Sequence, residues 1–232
     1  MEIQQEEKVR LWPKTVNEAR RLAASHIARY GFAESAVRNK RVCDIACGAG
    51  YGSCFLSKFA EIVTGIDIST QAIEWARTYF QSENVSFHCA DGSKAWPVDE
   101  TFDVITCFET LEHIPEPHAF IEQLVVHLAP GGKLFLSVPN GPRDEKRANN
   151  PYHLHHFTEI MLKELINKYF VEPQFYSQAY KKNWKHYTAK CLRKCRLTKK
   201  QRYFPGNYFL SEGLNPQLKT WFVTAKKRNK GS

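Results

Sequence analysis

The sequence predicts an α/β fold, a mostly parallel sheet with helices on both faces. Three observations predict it. Strand-like and helix-like segments alternate from Arg41 onward, a glycine-rich turn follows the first strand, and acids stand at the tips of the first two strands. Alternation of this kind is how a parallel sheet covers both of its apolar faces. At 232 residues, 43% hydrophobic and 13% aromatic, the chain suits one packed domain with additions.

In order, Asn17 to Phe32 carries Ala19, Leu22, Ala23, Ile27 and Tyr30 at helical spacing, predicting one helix within an N-terminal helical segment, 1–40. Arg41–Ala46 reads as a strand, Gly52–Phe59 as a helix, Glu61–Asp67 as a strand, Thr70–Phe80 as a helix and Val85–Cys89 as a strand. Phe102–Phe108 continues as a strand and Ala119–Leu128 as a helix, followed by a Pro130-Gly131-Gly132 turn and a strand over Lys133–Val138. A helix capped by Thr158 runs to about Lys168, and a strand lies around Phe170–Tyr176. The core is expected over 41–180, able to hold a ligand when cut after about Gln178. A basic, aromatic-rich segment, 181–232, contributes the last strand at Lys219–Ala225.

No run approaches the roughly 20 apolar residues of a membrane span, and Met1 to Arg10 is charged rather than signal-like. The expectation is a soluble cytoplasmic protein. Cys43, Cys47, Cys54, Cys89 and Cys107 fall in or beside predicted strands, where thiols act as small hydrophobes. Cys191 and Cys195 lie near His186, but no second cysteine pair completes a zinc site. The net charge of +9 is unevenly placed: residues 177–232 hold 15 Lys/Arg against Glu212 alone, while residues 1–176 hold 18 against 23 acids. Trp184, Tyr187, Tyr203 and Phe204 are interleaved with the cations, as in a footprint for phosphates, RNA or an anionic surface.

Gly48 and Gly50 follow a strand and open a helix, so the backbone can turn tightly and approach a ligand. Asp67 ends the next strand, where a carboxylate can accept from both ribose hydroxyls. The spacing is not the dinucleotide G-x-G-x-x-G. Asp44 would repel a pyrophosphate but can orient an ammonium, which favours S-adenosylmethionine over NAD.

The stretches VCDIACGAGYGS, VTGIDIS, CADGS, FDVITCFETLEHI and PGGKLFLSVPN resemble successive motifs of class I S-adenosylmethionine-dependent methyltransferases. The resemblance covers roughly residues 15 to 178. It implies a Rossmann-like fold with a seven-stranded, mostly parallel sheet. It also implies that Asp44, Ala46, Cys47, Gly48 and Gly50 cradle the methionine end, Asp67 binds ribose, Ile68 packs on adenine and Asp91, beside Gly92, binds the adenine amino group, with Phe108 at the same cleft. Ala46 stands where the family more often has glycine.

Methyl transfer from a sulfonium is an in-line displacement, in which the protein aligns the nucleophile and often removes its proton. Glu109, Glu112 and His113 follow the fourth strand, at spacings that one helical turn brings to a common face. His113 can act as general base, its ordinary pKa being about 6.5. Alternatively Glu109, Glu112 and His113, with His155, can hold Mg²⁺ or another hard divalent ion. A second polar group, Asn150 to Thr158, carries His153, His155 and His156, with His153 expected to reach the reacting end.

CFETLEHI, SVPN and NPYH together resemble bacterial methyltransferases of cell-surface glycan assembly, which implies O-methylation of a sugar or other small polar acceptor; the basic C-terminal segment would suit such an acceptor carried on a phosphate or lipid pyrophosphate. The Glu-x-x-Glu-His spacing also resembles the metal-dependent small-RNA 3′-terminal 2′-O-methyltransferases, although His-His-Phe-Thr replaces their His-x-Phe-Glu-Trp-Thr. RNA is therefore the alternative acceptor, and a non-catalytic cofactor-fold subunit the alternative of another class.

Overall fold

The computed structural model describes residues 12–140, 152–181 and 207–228. Helix α1 (Val16–Leu22) starts at Thr15, whose side chain accepts from the Glu18 N–H, and α2 (Ala24–Val37) follows at once. The single N-terminal helix of the sequence reading is thus two, broken at Ala23 (φ −129°, ψ 48°), and nothing in an alanine marks that break.

Strand β1 (Arg41–Ile45) leads through the glycine turn to α3 (Tyr51–Leu56), and β2 (Ile62–Asp67) leads to α4 (Thr70–Tyr79), capped by Ser69. Then come β3 (Val85–Cys89), β4 (Phe102–Phe108), a 3₁₀ turn (Leu111–His113) and α5 (Pro117–His127). Proline suits the first turn of α5 because that N–H has no helical partner. Strand β5 (Leu128–Pro139) is followed by α6 (Glu159–Tyr169), where Thr158 accepts from the Met161 N–H as its spacing predicted. The chain ends with β6 (Phe170–Tyr180), β7 (Tyr208–Glu212) and β8 (Thr220–Lys227).

The sheet order is β3-β2-β1-β4-β5-β8-β6-β7. Strands β1 to β5 are parallel, β8 is antiparallel to both β5 and β6, and β7 pairs antiparallel with β6. Side chains alternate between two cores. Cys43, Ile45, Ile105, Leu134 and Leu136 join Phe120, Leu124 and Leu162 on one face, while Val42, Val104 and Phe135 join Ile27, Tyr30, Leu56 and Ile73 on the other. The order reverses between β1 and β4, and open α/β sheets bind ligands outside the carboxyl ends of the strands at such a switch point.

Two expectations need correcting. The sheet has eight strands rather than seven, because Tyr208–Glu212 forms an edge strand whose half-exposed sequence lacks an alternating apolar signal. The ladder of β5 begins at Leu128, opposite Phe102, although Gly131 does turn the backbone (φ +70°). A cut after Gln178 would remove β8, which is hydrogen-bonded on both sides, so the sheet cannot be complete without the segment beyond. Cys43, Cys47 and Cys107 are buried, whereas Cys54 is partly exposed and Cys89 exposed; Cys191, Cys195, His186 and the aromatic residues 184–204 lie outside the described residues. Among the described residues no helix is long and apolar enough to cross a membrane.

Candidate active site

The glycine turn is held from below. Asp67 at the tip of β2 accepts from the Gly48 N–H (2.8 Å) and, with its other oxygen, from the Ser69 N–H (2.9 Å). The Cys47 N–H donates to the Ile66 carbonyl (3.0 Å), and the buried Cys47 completes the turn. Ala46, Gly48 and Gly50 all have positive φ (+58°, +56° and +84°). A Cβ on Gly50 would meet Ala76 Cβ at 2.5 Å and Phe87 Cζ at 3.0 Å, whereas one on Gly48 would have nothing within 4 Å. Gly50 therefore lets the turn press on α4 and β3, and Gly48 faces open space.

The buried carboxylate of Asp44 accepts from Ser53 Oγ (2.7 Å), Thr106 Oγ1 (2.8 Å) and Tyr30, which fastens the turn. Burial pushes its pKa up to about 6, against the lowering effect of the three hydroxyls. Tyr30 comes this close because Gly52 leaves room: a Cβ there would lie 2.0 Å from the Tyr30 ring.

Ile68 stands 66% exposed just beyond Asp67. Asp91 follows β3, accepting from Ser93 N–H (3.0 Å) and Ser93 Oγ (2.6 Å), and the Ser93 hydrogen bonds hold its carboxyl below the usual range, with Lys94 assisting. Gly92 faces the core, where a Cβ would strike Ile45 Cδ1 at 2.8 Å. Phe108 packs on Tyr30 and Phe222, with ring centroids at 5.0 and 5.6 Å.

The acidic cluster after β4 does not form one helical face. Glu109 has φ +53°, which redirects the chain before the 3₁₀ turn. Its carboxylate accepts from Ser137 Oγ (3.1 Å) and lies 3.6 Å from the Arg29 guanidinium. Glu112 is 1% exposed, with His113 Nε2 3.9 Å from its Oε1. His113 Nδ1 lies 2.8 Å from the Tyr152 carbonyl, which can only accept, so Nδ1 carries the hydrogen and Nε2 the lone pair. His153 stands against His113, with ring centroids 4.9 Å apart at 80°. His155 instead gives its Nε2 hydrogen to the Pro115 carbonyl (3.2 Å), while the Leu154 and His155 N–H groups bond the Glu112 carbonyl. Among the described residues, the donor atoms of Glu112, His113 and His153 lie within 4.8 Å of one another. Glu109 and His155, which the sequence offered as ligands, are not in this group, and His153 is.

Arg29 escaped the sequence reading. It is 3% exposed, donates from Nε to Gln178 Oε1 (3.0 Å) and from Nη2 to Thr220 Oγ1 (3.2 Å), and its Nη1 makes no hydrogen bond. Its only sequence signal is position, seven residues past Leu22 on the apolar stripe of the helix.

Residues 16–195 match the family model described as methyltransferase domain. A ubiquinone biosynthesis O-methyltransferase of Coxiella burnetii is 38% identical over 106 residues, 45% of each chain, so the chain matches under half the length of this curated relative. Among solved structures, an S-adenosylmethionine-dependent methyltransferase from Mesorhizobium loti superposes with a TM-score of 0.61 at 16% identity, covering 88% of this chain and 100% of its own. The N-methyltransferase NodS from Bradyrhizobium japonicum, in complex with S-adenosyl-L-homocysteine, gives 0.57 at 16% identity over 88% and 85%.

Proposed function

The chain belongs to the methyltransferase-domain family, and we propose that it is an S-adenosylmethionine-dependent enzyme that methylates a hydroxyl oxygen of a small polar acceptor beside His113. The observation that carries the reading is the fixed imidazole: the Tyr152 carbonyl takes the Nδ1 hydrogen, leaving Nε2 as a lone pair beyond the carboxyl end of β4. The O-methyltransferase name of the curated relative supports oxygen as the nucleophile.

The residues of the turn fit the cofactor. Gly48 leaves the space a Cβ would fill, Asp67 keeps carboxylate lone pairs for ribose hydroxyls, and Ile68 offers an exposed apolar surface for adenine, with Asp91 for its amino group. Arg29 Nη1, buried without a hydrogen-bond partner, suits the cofactor carboxylate. When bound, S-adenosylmethionine supplies an electrophilic methyl group on a sulfonium. The acceptor hydroxyl gives its proton to His113 Nε2 as its oxygen takes the methyl, and the electron pair of the broken bond stays on sulfur. Glu112 beside the ring stabilises the resulting imidazolium.

The acceptor is best read as an anionic one, such as a sugar on a phosphate or lipid pyrophosphate. The chain leaves the sheet at Lys181 and rejoins it at Asn207, with hydrogen bonds of 2.8 and 2.9 Å between the two, at the edge of the sheet on the side of the carboxyl ends of β1 to β5. Residues 182–206 between them carry nine Lys/Arg and no acid.

The test is transfer of labelled methyl into separated RNA, lipid-linked glycan and small-metabolite fractions. Label should enter a non-RNA fraction, with His113→Ala or Glu112→Ala lowering turnover by roughly 10²–10⁴-fold at little change in cofactor affinity. Label confined to RNA would establish the ribose reading instead, and full activity in both variants would remove the pair from the chemistry.

A further inference from the structure

Glu109 has no part in the proton transfer at His113, yet its surroundings hold it more closely than a solvated acid needs. Its φ of +53° is costly for a residue with a side chain, and such a torsion persists only where the surroundings impose it. Ser137, buried on β5, imposes it: the Glu109 N–H donates to the Ser137 carbonyl (3.0 Å) and to its Oγ (3.2 Å), and that Oγ donates to Glu109 Oε1 (3.1 Å). Oε2 is left facing Arg29 across 3.6 Å, too long for a hydrogen bond, on a side chain that is 22% exposed. Arg29 is aimed in the same way, by Gln178 from β6 and Thr220 from β8, and its Nη1 makes no hydrogen bond. Opposite charges thus stand side by side without closing on each other.

We propose that Arg29 and Glu109 form a clamp for a zwitterion, in which Glu109 accepts from the ammonium of the amino-acid end of S-adenosylmethionine while Arg29 holds its carboxylate. The inference rests on the cofactor reading of the site and assigns the half of the amino acid that Arg29 leaves open. An α-amino acid carries both charges on one carbon, so it matches a guanidinium and a carboxylate that are neighbours but not bonded. An anion alone would be drawn to Arg29 and repelled by Glu109, and a lone amine the reverse. The other acid at this end offers less to an ammonium: Asp44 is 1% exposed, with Oδ2 on Ser53 and Oδ1 on Thr106. Position agrees as well. Strands β2, β1 and β4 lie side by side, Asp67 ends β2 and Glu109 follows β4, so the ribose and the amino acid fall on opposite sides of the glycine turn. Ser137 is then a positioning residue, since it acts on the ligand only through Glu109.

The test reads binding by calorimetry on the full-length protein rather than turnover. S-adenosylhomocysteine is compared with its deaminated form, its decarboxylated form and 5′-methylthioadenosine, which lacks the amino acid altogether. Wild type should bind the deaminated form about 10–100-fold more weakly than S-adenosylhomocysteine, the scale of a hydrogen bond to a charged group. Glu109→Gln should weaken S-adenosylhomocysteine by a similar factor, and the decarboxylated form, which keeps the ammonium, should show the loss too. The same variant should bind the deaminated form at least as tightly as wild type does, because no protein carboxylate then faces the carboxylate of that ligand. Its affinity for 5′-methylthioadenosine should stay within about twofold of wild type, which also shows that the variant is folded. Ser137→Ala should weaken S-adenosylhomocysteine in the wild-type background and add little in Glu109→Gln, as expected of a residue acting through its neighbour. Equal losses for every ligand in Glu109→Gln, or no loss for S-adenosylhomocysteine, would overturn the clamp and leave the adenosine placement standing. A wild-type protein that binds none of these ligands would remove the cofactor reading, and the clamp with it.

Discussion

Gly48 and Gly50 are two residues apart in one turn, yet replacing each by alanine should damage a different property. Both have left-handed φ, which costs an L-residue about 1–2 kcal/mol. At Gly50 the new Cβ would also sit 2.5 Å from Ala76 Cβ and 3.1 Å from Ala76 Cα, and neither atom can swing aside because both belong to the backbone end of a helical residue. Overpacking of that kind adds about 1–3 kcal/mol. Gly50→Ala should therefore lose about 2–5 kcal/mol in denaturant unfolding. Gly48→Ala, with nothing within 4 Å of its Cβ, should lose only the conformational 1–2 kcal/mol. Its methyl group instead occupies the space proposed for the methionine end of the cofactor, so calorimetric S-adenosylmethionine affinity should fall at least about tenfold, or about 1.4 kcal/mol. Equal destabilisation by the two substitutions would refute the packing argument. Unchanged cofactor affinity in a folded Gly48→Ala protein would refute the placement of the cofactor.

Asp67→Ala should lower unfolding stability by about 1–3 kcal/mol, because the Gly48 and Ser69 N–H groups lose their acceptor, and should weaken cofactor binding by a further 1.5–3 kcal/mol; wild-type affinity in calorimetry would show that the ribose lies elsewhere. Asp44 has its pKa raised from 3.8 to about 6, so its contribution to stability is fully present below the lower value and is lost as pH rises through about 6. The neutral Asp44→Asn protein lacks that loss. Between pH 4 and pH 7 its stability should rise relative to wild type by on the order of 3 kcal/mol, and a gap that stays constant across this window in paired denaturant melts would contradict the assignment.

Local spacing carried the alternation of strands and helices, because a strand buried on both faces and an amphipathic helix leave different apolar periods. It also revealed the Thr158 cap, Asp67 at the tip of β2 and the glycines that the turn requires, since each of these is fixed by residues a few positions away. It could not reveal β7, whose pairing with β6 crosses the intervening basic segment and whose side chains show no regular burial. Nor could it show that Asp44 is sealed by Tyr30, Ser53 and Thr106, three hydroxyls from three different elements.

The sequence by itself determined which chemical groups stand beyond the carboxyl ends of β1, β2 and β4. Only the tertiary structure decided which of them meet. Glu109 is three residues from Glu112, yet it belongs to Arg29, eighty positions away, because its positive φ and the Ser137 hydroxyl turn it from the 3₁₀ turn. His153 rather than His155 faces His113 because two backbone N–H groups and the His155 ring are spent on the carbonyls of Glu112 and Pro115. Spacing along the chain limits which side chains are near neighbours, but their direction is set by a single backbone torsion and by hydrogen bonds to residues that folding brings from elsewhere.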